Sequence, residues 1–343
     1  MRYLLNTLFV TIEDAYLALE GENVVVRKGA DELARFPLHA LLNIVAFTYA
    51  GASPALMGAC AERDINLCFC TPRGRFLART SGVSSGNVLL RRTQYRMADD
   101  PRQSCKIARN MIYGKVHNAR WSVDRTLRDH ALRVDAGRLE KAAEHLRAMM
   151  PSIMEVENLE TLRGLEGEAA SVYFGVFDEM ILKEKQAFYF NERSRRPPRD
   201  NVNAMLSFVY SLLGNDCASA LESVGLDAYV GFLHRDRPGR TSLALDLLEE
   251  LRACCADRFV LTLINNGVVR GSDFEKREAG AVAMTDVGRK KLLAAWQERK
   301  RETITHPFLK EKMPWGLVPS IQALLLARYL RDDMEGYPPF LWK

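Results

Sequence analysis

Apolar and polar positions follow two different patterns along the chain. Up to Thr80, short apolar runs alternate with turn residues, which predicts β-strands joined by tight turns. The runs cover residues 16–19, 24–26, 42–47, 65–69 and 76–77, with turn residues at 20–23 and 72–74. One helix, over residues 53–63, is expected to interrupt these strands.

Beyond Asn87 the apolar positions recur at helical spacing. The predicted helices cover residues 88–98, 103–133, 138–149, 158–182, 201–213, 216–225, 242–256, 286–302 and 318–333. Only the run at 260–264, with its turn at 265–267, predicts a strand. The small, polar segment 80–87 is typical of a flexible joint. We therefore expect a two-domain α+β protein, with a small β-rich N-terminal domain at 1–83 and a larger all-α domain at 84–343.

Composition supports a folded protein of this size. The chain has 343 residues, of which 48% are hydrophobic and 27% are charged, enough to build a core in each of two domains. Its net charge of +5 is too small to identify a nucleic-acid partner.

Cysteine usage and the absence of targeting signals predict a soluble cytoplasmic protein. The seven cysteines form no CxxC pair, which is typical of reduced thiols inside a cell. Cys68 and Cys70 would share one face of a strand, where packing is a better interpretation than a soft-metal site. We find no signal peptide and no run near the ~20 apolar residues that a membrane span requires.

Glu166 is the first candidate for chemistry, because it borders the apolar stripe of a predicted helix. A carboxylate in that position is costly unless an arginine, a hydrogen-bond network or a metal satisfies it. Gly164 and Gly167 beside it weaken the helix and permit close approach of another backbone or a ligand. This segment alone favours a structural salt bridge.

His234 precedes a second set of candidates. Asp246, Glu249 and Glu250 stand at positions i, i+3 and i+4 of a predicted helix that Ser242 could cap. Acidic groups near the start of a helix also complement the helix dipole. Before His234 is considered, this structural interpretation is as good as a metal site. An imidazole upstream of paired carboxylates shifts the balance toward a metal site.

One nitrogen ligand with two or three carboxylates suits Mn²⁺ or Mg²⁺ better than zinc. The chain contains no HExxH motif, and the other histidines lie far away in sequence. Phosphate chemistry on a hard metal is therefore the best fit among metal reactions. Because clustered carboxylates repel one another when no cation is bound, we expect metal to stabilise the fold and alanine at any ligand to leave the metal-free stability level or raised.

Two basic segments could neutralise DNA phosphates. The first contains Arg193, Arg195, Arg196 and Arg199, and the second includes Lys290 and Lys291. A charge run is more often a solvated face, so neither segment identifies a DNA-binding protein by itself.

A combination of motifs resembles the CRISPR-associated spacer-acquisition integrase, the first of the Cas proteins. The motifs are LRGLEG at 162–167, RPPRD at 196–200 followed by NAMLSFVY at 203–210, GFLH at 231–234 and SLALDLLE at 242–249. Each is weak alone, but their order is specific, and the resemblance covers nearly the whole chain. The arrangement is most similar to the type I-C branch.

This resemblance implies a metal-dependent DNA endonuclease and integrase with Mn²⁺ or Mg²⁺ bound by Glu166, His234 and Glu249. The last ligand is often aspartate in the family, so Asp246 is either an outer partner or the actual ligand. The resemblance also implies a homodimer that works with a small second Cas protein on double-stranded DNA. Short duplexes would be inserted into the CRISPR array by attack of a 3′-hydroxyl on a phosphodiester.

Two other classes of protein are compatible with the same residues. A non-catalytic nucleic-acid-binding scaffold could use the Glu and His side chains as a structural polar network. A metal hydrolase of small molecules is disfavoured by the arginine-rich segments.

Overall fold

The N-terminal part of the chain contains two small sheets. The computed structural model describes residues 7–41, 43–71, 76–80, 88–277 and 280–343. The strands of this part are β1 Thr7–Val10, β2 Tyr16–Glu20, β3 Asn23–Lys28, β4 Asp31–Pro37, β5 Asn43–Ala46, β6 Asn66–Cys70 and β7 Phe76–Arg79. One sheet has the order β1-β5-β6-β7, in which only β7 is antiparallel to its neighbour. In the other sheet β2, β3 and β4 form an antiparallel meander.

Helix α1 Pro54–Glu62 begins where the sequence predicts a helix, because Ser53 caps it. The Ser53 hydroxyl accepts a hydrogen bond from the backbone N–H of Leu56, at 3.2 Å. Leu56 is completely buried, and its neighbours in the core are residues of both sheets and of the segments between them. They include Leu17, Val24, Val26, Leu38, Ile44 and Leu67.

Helices dominate the rest of the chain, as predicted. Their bounds are α2 Val88–Asp99, α3 Pro101–His130, α4 Ala136–Glu155, α5 Leu159–Gly175, α6 Asn201–Ser223, α7 Ser242–Leu251, α8 Arg258–Asn265, α9 Asp286–Arg301 and α10 Val318–Leu330. A π-helix, Arg252–Asp257, joins α7 to α8. Short strands pair as β8 Phe274–Lys276 with β9 Val282–Met284, and as β10 Thr303–Thr305 with β11 Lys312–Pro314.

The predicted strand at 260–264 is wrong, because these residues belong to α8. Phe259, Val260, Leu263 and Ile264 are all buried, and their spacing is that of one helix face. A short apolar run does not distinguish a strand from a buried helical turn, and here the helical path continues from the segment before it.

The last residues of the chain pass through the interior of the helical part. Asn118 on α3 donates hydrogen bonds to the carbonyl oxygens of Glu250 and Phe340, both at 2.7 Å, and accepts one from the Trp342 N–H at 2.8 Å. The Glu250 carboxylate accepts from the Phe340 N–H and from the Tyr337 hydroxyl. The C-terminal residues therefore supply partners to two buried polar groups.

The chain divides into two compact units. One contains Met1–Ser85 with Leu293–Ile304 and Met313–Leu317, and the other contains Gly86–Leu292, Thr305–Lys312 and Val318–Lys343. The boundary predicted between residues 83 and 84 lies outside the described residues. All seven cysteines are buried thiols. Among the described residues, no helix is long and apolar enough to cross a membrane.

Candidate active site

Glu166 stands on the face of α5 that points into the helical unit. The helix starts at the cap residue Asn158, whose side-chain oxygen accepts hydrogen bonds from two backbone N–H groups of the first turn. Leu162, Ala169 and Tyr173 lie on the same face and are buried, while the Glu166 side chain retains 28% exposure. The carboxylate thus lies at the edge of the core, as the sequence predicts.

The two glycines beside Glu166 are open on their side-chain faces. No described atom lies within 4 Å of the position that a Cβ would take at Gly164 or Gly167. Close packing of another part of the chain therefore does not explain these glycines. The space beside Glu166 is compatible with a ligand.

Asp246 on α7 binds and orients the loop that carries His234. Its Oδ2 accepts hydrogen bonds from the N–H groups of Phe232 and Leu233, at 2.6 and 3.0 Å. Its Oδ1 accepts from the N–H and from Nδ1 of His234, at 3.0 and 2.6 Å. These four bonds use the full acceptor capacity of the carboxylate. Because Nδ1 of His234 is engaged, Nε2 is the nitrogen that remains to bind a ligand.

Gly231 makes this arrangement sterically possible. A Cβ at this position would lie 2.8 Å from Oδ2 of Asp246 and 2.9 Å from the backbone of Ser242. The start of α7 differs slightly from expectation, because Ser242 is its first residue rather than its cap, and its hydroxyl donates to the Arg235 carbonyl.

Glu249 lies one turn further along α7 and is an almost completely buried anion, with 5% of its side chain exposed. Arg252 approaches its Oε1 at 2.6 Å, and the Lys115 ammonium lies 2.7 Å from its Oε2. Burial acts to raise the pKa of Glu249, but the charges of Arg252, Lys115 and His234 outweigh burial and lower the pKa to about 2. Glu249 therefore stays ionised at neutral pH.

Lys115 on α3 brings the two glutamates together. Its ammonium forms ion pairs with both Glu249 and Glu166, and its side chain is 8% exposed. Among the described residues, no group of three or more His, Cys, Asp or Glu side chains is already arranged to hold a metal ion. The position between the two carboxylates is taken by a cation that belongs to the chain.

This neutralisation corrects the expectation of a self-repelling cluster. Lys115 and Arg252 compensate the charges of Glu166 and Glu249. Alanine at Glu249 would leave the buried Arg252 without its ion-pair partner and Lys115 with Glu166 alone, which destabilises a fold. Level or raised metal-free stability is therefore no longer expected for that variant.

The donor set nevertheless fits a hard divalent cation. Two carboxylates near enough to share one ammonium, and an imidazole fixed through Nδ1, offer the oxygen and nitrogen ligands that Mn²⁺ or Mg²⁺ takes. Oε2 of Glu249 is buried and accepts no well-aligned hydrogen bond, only the ion-pair contact of Lys115. A lysine on a flexible stem can withdraw from such a position.

The first basic segment separates into an interior arginine and exposed ones. Arg193 donates hydrogen bonds to Asn203 and Ser207 at 2.6 and 3.1 Å, and burial lowers its pKa. Arg195, Arg196 and Arg199 are exposed. Arg193 is thus engaged within the protein, while the other three can reach an external phosphate.

The second basic segment also contains one engaged and one exposed residue. Lys291 contacts both carboxylate oxygens of the buried Asp273, at 2.8 and 2.9 Å. Lys290 beside it is exposed. Lys290 is therefore the better placed of the two to meet an external anion.

Sequence reasoning missed Lys115 and Arg252 as members of this site. Arg252 stands three residues after Glu249, and that helical spacing could have identified it. Lys115 lies in a long helix far upstream in the chain, and its motif-free surroundings contain no comparable signal.

The β-rich N-terminal part, followed by a helical unit in which Glu166 and Glu249 pair with Lys115, agrees with the family resemblance seen in the sequence. The family model described as CRISPR associated protein Cas1 matches residues 8–298. The chain belongs to the Cas1 family.

Curated relatives match the chain over its entire length. A CRISPR-associated endonuclease Cas1 from Chlorobaculum tepidum is 51% identical over 343 residues, covering 100% of both chains. Another from Rhodospirillum rubrum is 49% identical over 347 residues and also covers 100% of both.

Solved structures share the fold. A casposase bound to its integration product superposes with a TM-score of 0.82 at 21% identity, covering 99% of this chain and 95% of the casposase. A Cas1 protein from Thermotoga maritima has a TM-score of 0.80 at 19% identity, covering 97% and 99%. A Cas6-RT-Cas1–Cas2 complex matches with a TM-score of 0.80 at 20% identity, covering 100% of this chain and 37% of that one.

Proposed function

We propose that this chain is a divalent-metal-dependent DNA endonuclease and integrase that inserts short duplex DNA into a CRISPR array. The observation that carries the proposal is the meeting of Glu166 and Glu249 on a single cation, with His234 held beside them by Asp246.

Glu166, His234 and Glu249 would hold Mn²⁺ or Mg²⁺. The bound ion would draw charge from the scissile phosphate and stabilise the attacking or leaving oxygen. The chain's own residues prepare this site: Arg252 holds Glu249 as an anion, and Asp246 fixes the tautomer and direction of the His234 ring.

The reaction is a transesterification. The 3′-hydroxyl of the incoming duplex loses its proton and forms a new bond to phosphorus in the target strand, whose own P–O bond breaks. The departing oxygen takes up a proton, so one phosphodiester replaces another. When water takes the place of the 3′-hydroxyl, the same site cleaves DNA.

Exposed cations on the surface and the solved structures that share the fold both support the proposed partners. Arg195, Arg196, Arg199 and Lys290 are exposed cations suited to DNA phosphates. Neighbours include a casposase bound to its integration product and a Cas6-RT-Cas1–Cas2 complex, which supports double-stranded DNA and the small Cas2 protein as proposed partners. We also propose a homodimer and keep the type I-C assignment as a prediction.

A non-catalytic scaffold is the competing function, since ion pairs of Lys115 with Glu166 and Glu249 would also serve a structural network. The discriminating experiment is joining of a labelled duplex to a repeat-containing plasmid, with and without Mn²⁺. Glu166→Gln, His234→Asn and Glu249→Gln should each abolish joining, because Gln removes the carboxylate charge at nearly unchanged size and Asn removes the imidazole Nε2.

The matched control is Glu168→Gln on the same helix α5. Glu168 is half exposed and pairs only with His145 among the described residues, so its variant should join DNA normally. Full activity of all the ligand variants would show that the site is misidentified. A wild-type protein that binds DNA but joins none at any Mn²⁺ concentration would support the scaffold.

A further inference from the structure

The π-helix Arg252–Asp257 follows directly after the turn that carries Glu249. In an α-helix, residues five apart point in different directions, whereas the i to i+5 hydrogen bonds of a π-helix place them one turn apart. The π-helix thus aligns its first and last residues, Arg252 and Asp257. Such irregular turns are uncommon and frequently occur at functional sites.

Both aligned residues contact Tyr210 of α6. The Arg252 guanidinium carbon lies 4.7 Å from the centre of the Tyr210 ring, and the Tyr210 hydroxyl donates a hydrogen bond to Oδ1 of Asp257. Arg193 lies over the same ring at 5.3 Å. Tyr210 therefore meets the π-helix at both of its ends.

Arg252 depends on these contacts for its position. Its Nε has no hydrogen-bond partner in the described part of the chain, and the residue borders a small cavity. Lys115, Ala169, Tyr173 and Asp257 also line this cavity. Packing around the guanidinium is thus incomplete, and the contacts that orient it are Glu249 on one side and the Tyr210 ring on the other.

Charge also links Asp257 to Arg252. Arg252 is 12% exposed, and Asp257 is completely buried beside it. Burial raises the pKa of Asp257 to about 6, against the Tyr210 hydrogen bond and the Arg252 charge, which act to lower it. The Arg252 charge and the Asp257 carboxylate therefore interact beside the cavity that both residues line.

We propose that Tyr210 of α6 and Asp257, which the π-helix aligns with Arg252, are positioning residues that hold Arg252 and through it the carboxylate of Glu249. This inference rests on the proposed function, in which Glu249 binds the divalent cation. Among the described residues, neither has a hydrogen bond or ion pair with Glu166, His234 or Glu249, so both would act on the site through Arg252.

The test measures Mn²⁺ binding to the full chain by calorimetry, in parallel with DNA joining. Asp257→Asn and Tyr210→Phe preserve shape while weakening the link to Arg252, and each should lower Mn²⁺ affinity about 10-fold or more, as outer partners of metal ligands do. DNA affinity and the joining of Mn²⁺-saturated protein should change less than Mn²⁺ affinity does.

A double-mutant cycle shows whether the effect passes through Glu249. In a Glu249→Gln background, Asp257→Asn should cause no further loss of Mn²⁺ affinity, because the carboxylate that it positions is gone. Asp200→Asn is the matched control, since it makes the same change at another buried aspartate that caps α6. If Asp257→Asn does not fold, the Mn²⁺ affinity of Tyr210→Phe is measured in the same two backgrounds instead.

The outcomes separate this inference from the function on which it rests. Wild-type Mn²⁺ affinity in both Asp257→Asn and Tyr210→Phe, with a lowered but measurable affinity in Glu249→Gln, would overturn the positioning role alone. If Asp257→Asn lowered Mn²⁺ affinity equally in the wild-type and the Glu249→Gln backgrounds, the positioning role would also be overturned. The effect of Asp257 would then not pass through Glu249. If Glu249→Gln itself bound and joined normally, the proposed function would fail.

Discussion

Two adjacent glutamates of α7 show how surroundings decide the role of a residue. Glu249 and Glu250 are both buried, and in both cases burial acts to raise the pKa. For Glu250 the hydrogen bonds of Tyr337, Gln322 and the Phe340 N–H do not offset burial, and the pKa rises to about 7. For Glu249 the charges of Arg252 and Lys115 outweigh burial, so the pKa is lowered instead of raised. Burial therefore does not determine the charge state until the neighbours are known.

Asp246 and Glu249 should respond differently to substitution. Asp246→Asn should reduce DNA joining by about 10–100-fold, since it disturbs the orientation of His234 without removing a ligand. Glu249→Gln should abolish joining. The two variants are compared in one Mn²⁺-dependent assay with the wild type. Near-normal activity of Glu249→Gln together with inactive Asp246→Asn would reverse the ligand assignment.

Residue-scale reasoning from sequence reached the acidic and histidine candidates but not their partners. Glu166, His234 and Glu249 stand out because charged groups border apolar stripes and because they fall within recognisable motifs. Lys115 could not be found this way, since a lysine in a long helix reads as a solvated residue. Its role depends on α3 packing beside α5 and α7, which is tertiary information.

At the scale of elements, a helix boundary was least predictable where the only break in the pattern is a lone glycine. The sequence predicts separate helices at 201–213 and 216–225, but α6 runs unbroken through Gly214. A Cβ at Gly214 would make only an ordinary contact with the Leu248 side chain, at 3.6 Å, so no close approach explains the glycine. Leu212, Leu213 and Cys217 are buried on both sides of it, and their packing outweighs the low helix propensity of one glycine.

The loop before α6 should bind DNA through its exposed arginines. The double variant Arg196→Ala with Arg199→Ala should weaken DNA binding and reduce the slope of log affinity against log salt concentration by about 1–2. The measurement is a binding titration at several salt concentrations. Arg193 is left unchanged in this variant because it holds Asn203 and Ser207.

A suitable control replaces two exposed arginines elsewhere. Arg125 and Arg128 on α3 already pair with Asp129, and the variant with alanine at both should keep most of its affinity. If the DNA affinity and the salt slope of the loop variant were unchanged, the segment would be a solvated loop that does not bind DNA.

At the scale of the whole molecule, the sequence predicts the order of the β-rich and helical parts. It does not predict that later segments of the chain belong to the unit of the N-terminal strands. Residues 293–304 and 313–317 belong to the compact unit of the N-terminal strands, although they follow the helical part. Helical periodicity describes an element and its apolar face; it contains no information on which core that face joins.

The pH dependence of stability should reveal one buried histidine of the helical unit. Burial, and then the charges of Arg120 and Lys343, lower the pKa of His117 from 6.5 to about 4. Between these values the unfolded chain binds a proton that the folded chain rejects, so this contribution to the free energy of unfolding falls as pH falls from 6.5 to 4. His117→Gln should flatten that part of the curve.

Denaturant unfolding at several pH values between 4 and 7 measures this slope. Asp257 and Glu250 have raised pKa values and act in the opposite direction, so the comparison is between variants. His39→Gln, at an exposed position, is the matched control and should keep the wild-type slope. Identical slopes for His117→Gln and the wild type would contradict the assignment.

In the proposed metal site, Lys115 would also decide which ions can enter. Na⁺ or K⁺ would bring the same single charge as the ammonium already present, and the tethered ammonium has the advantage of a high effective concentration. A divalent ion would bring twice that charge to the same two carboxylates. The lysine would therefore make the proposed site insensitive to monovalent salt and reserve it for ions that can displace a resident cation.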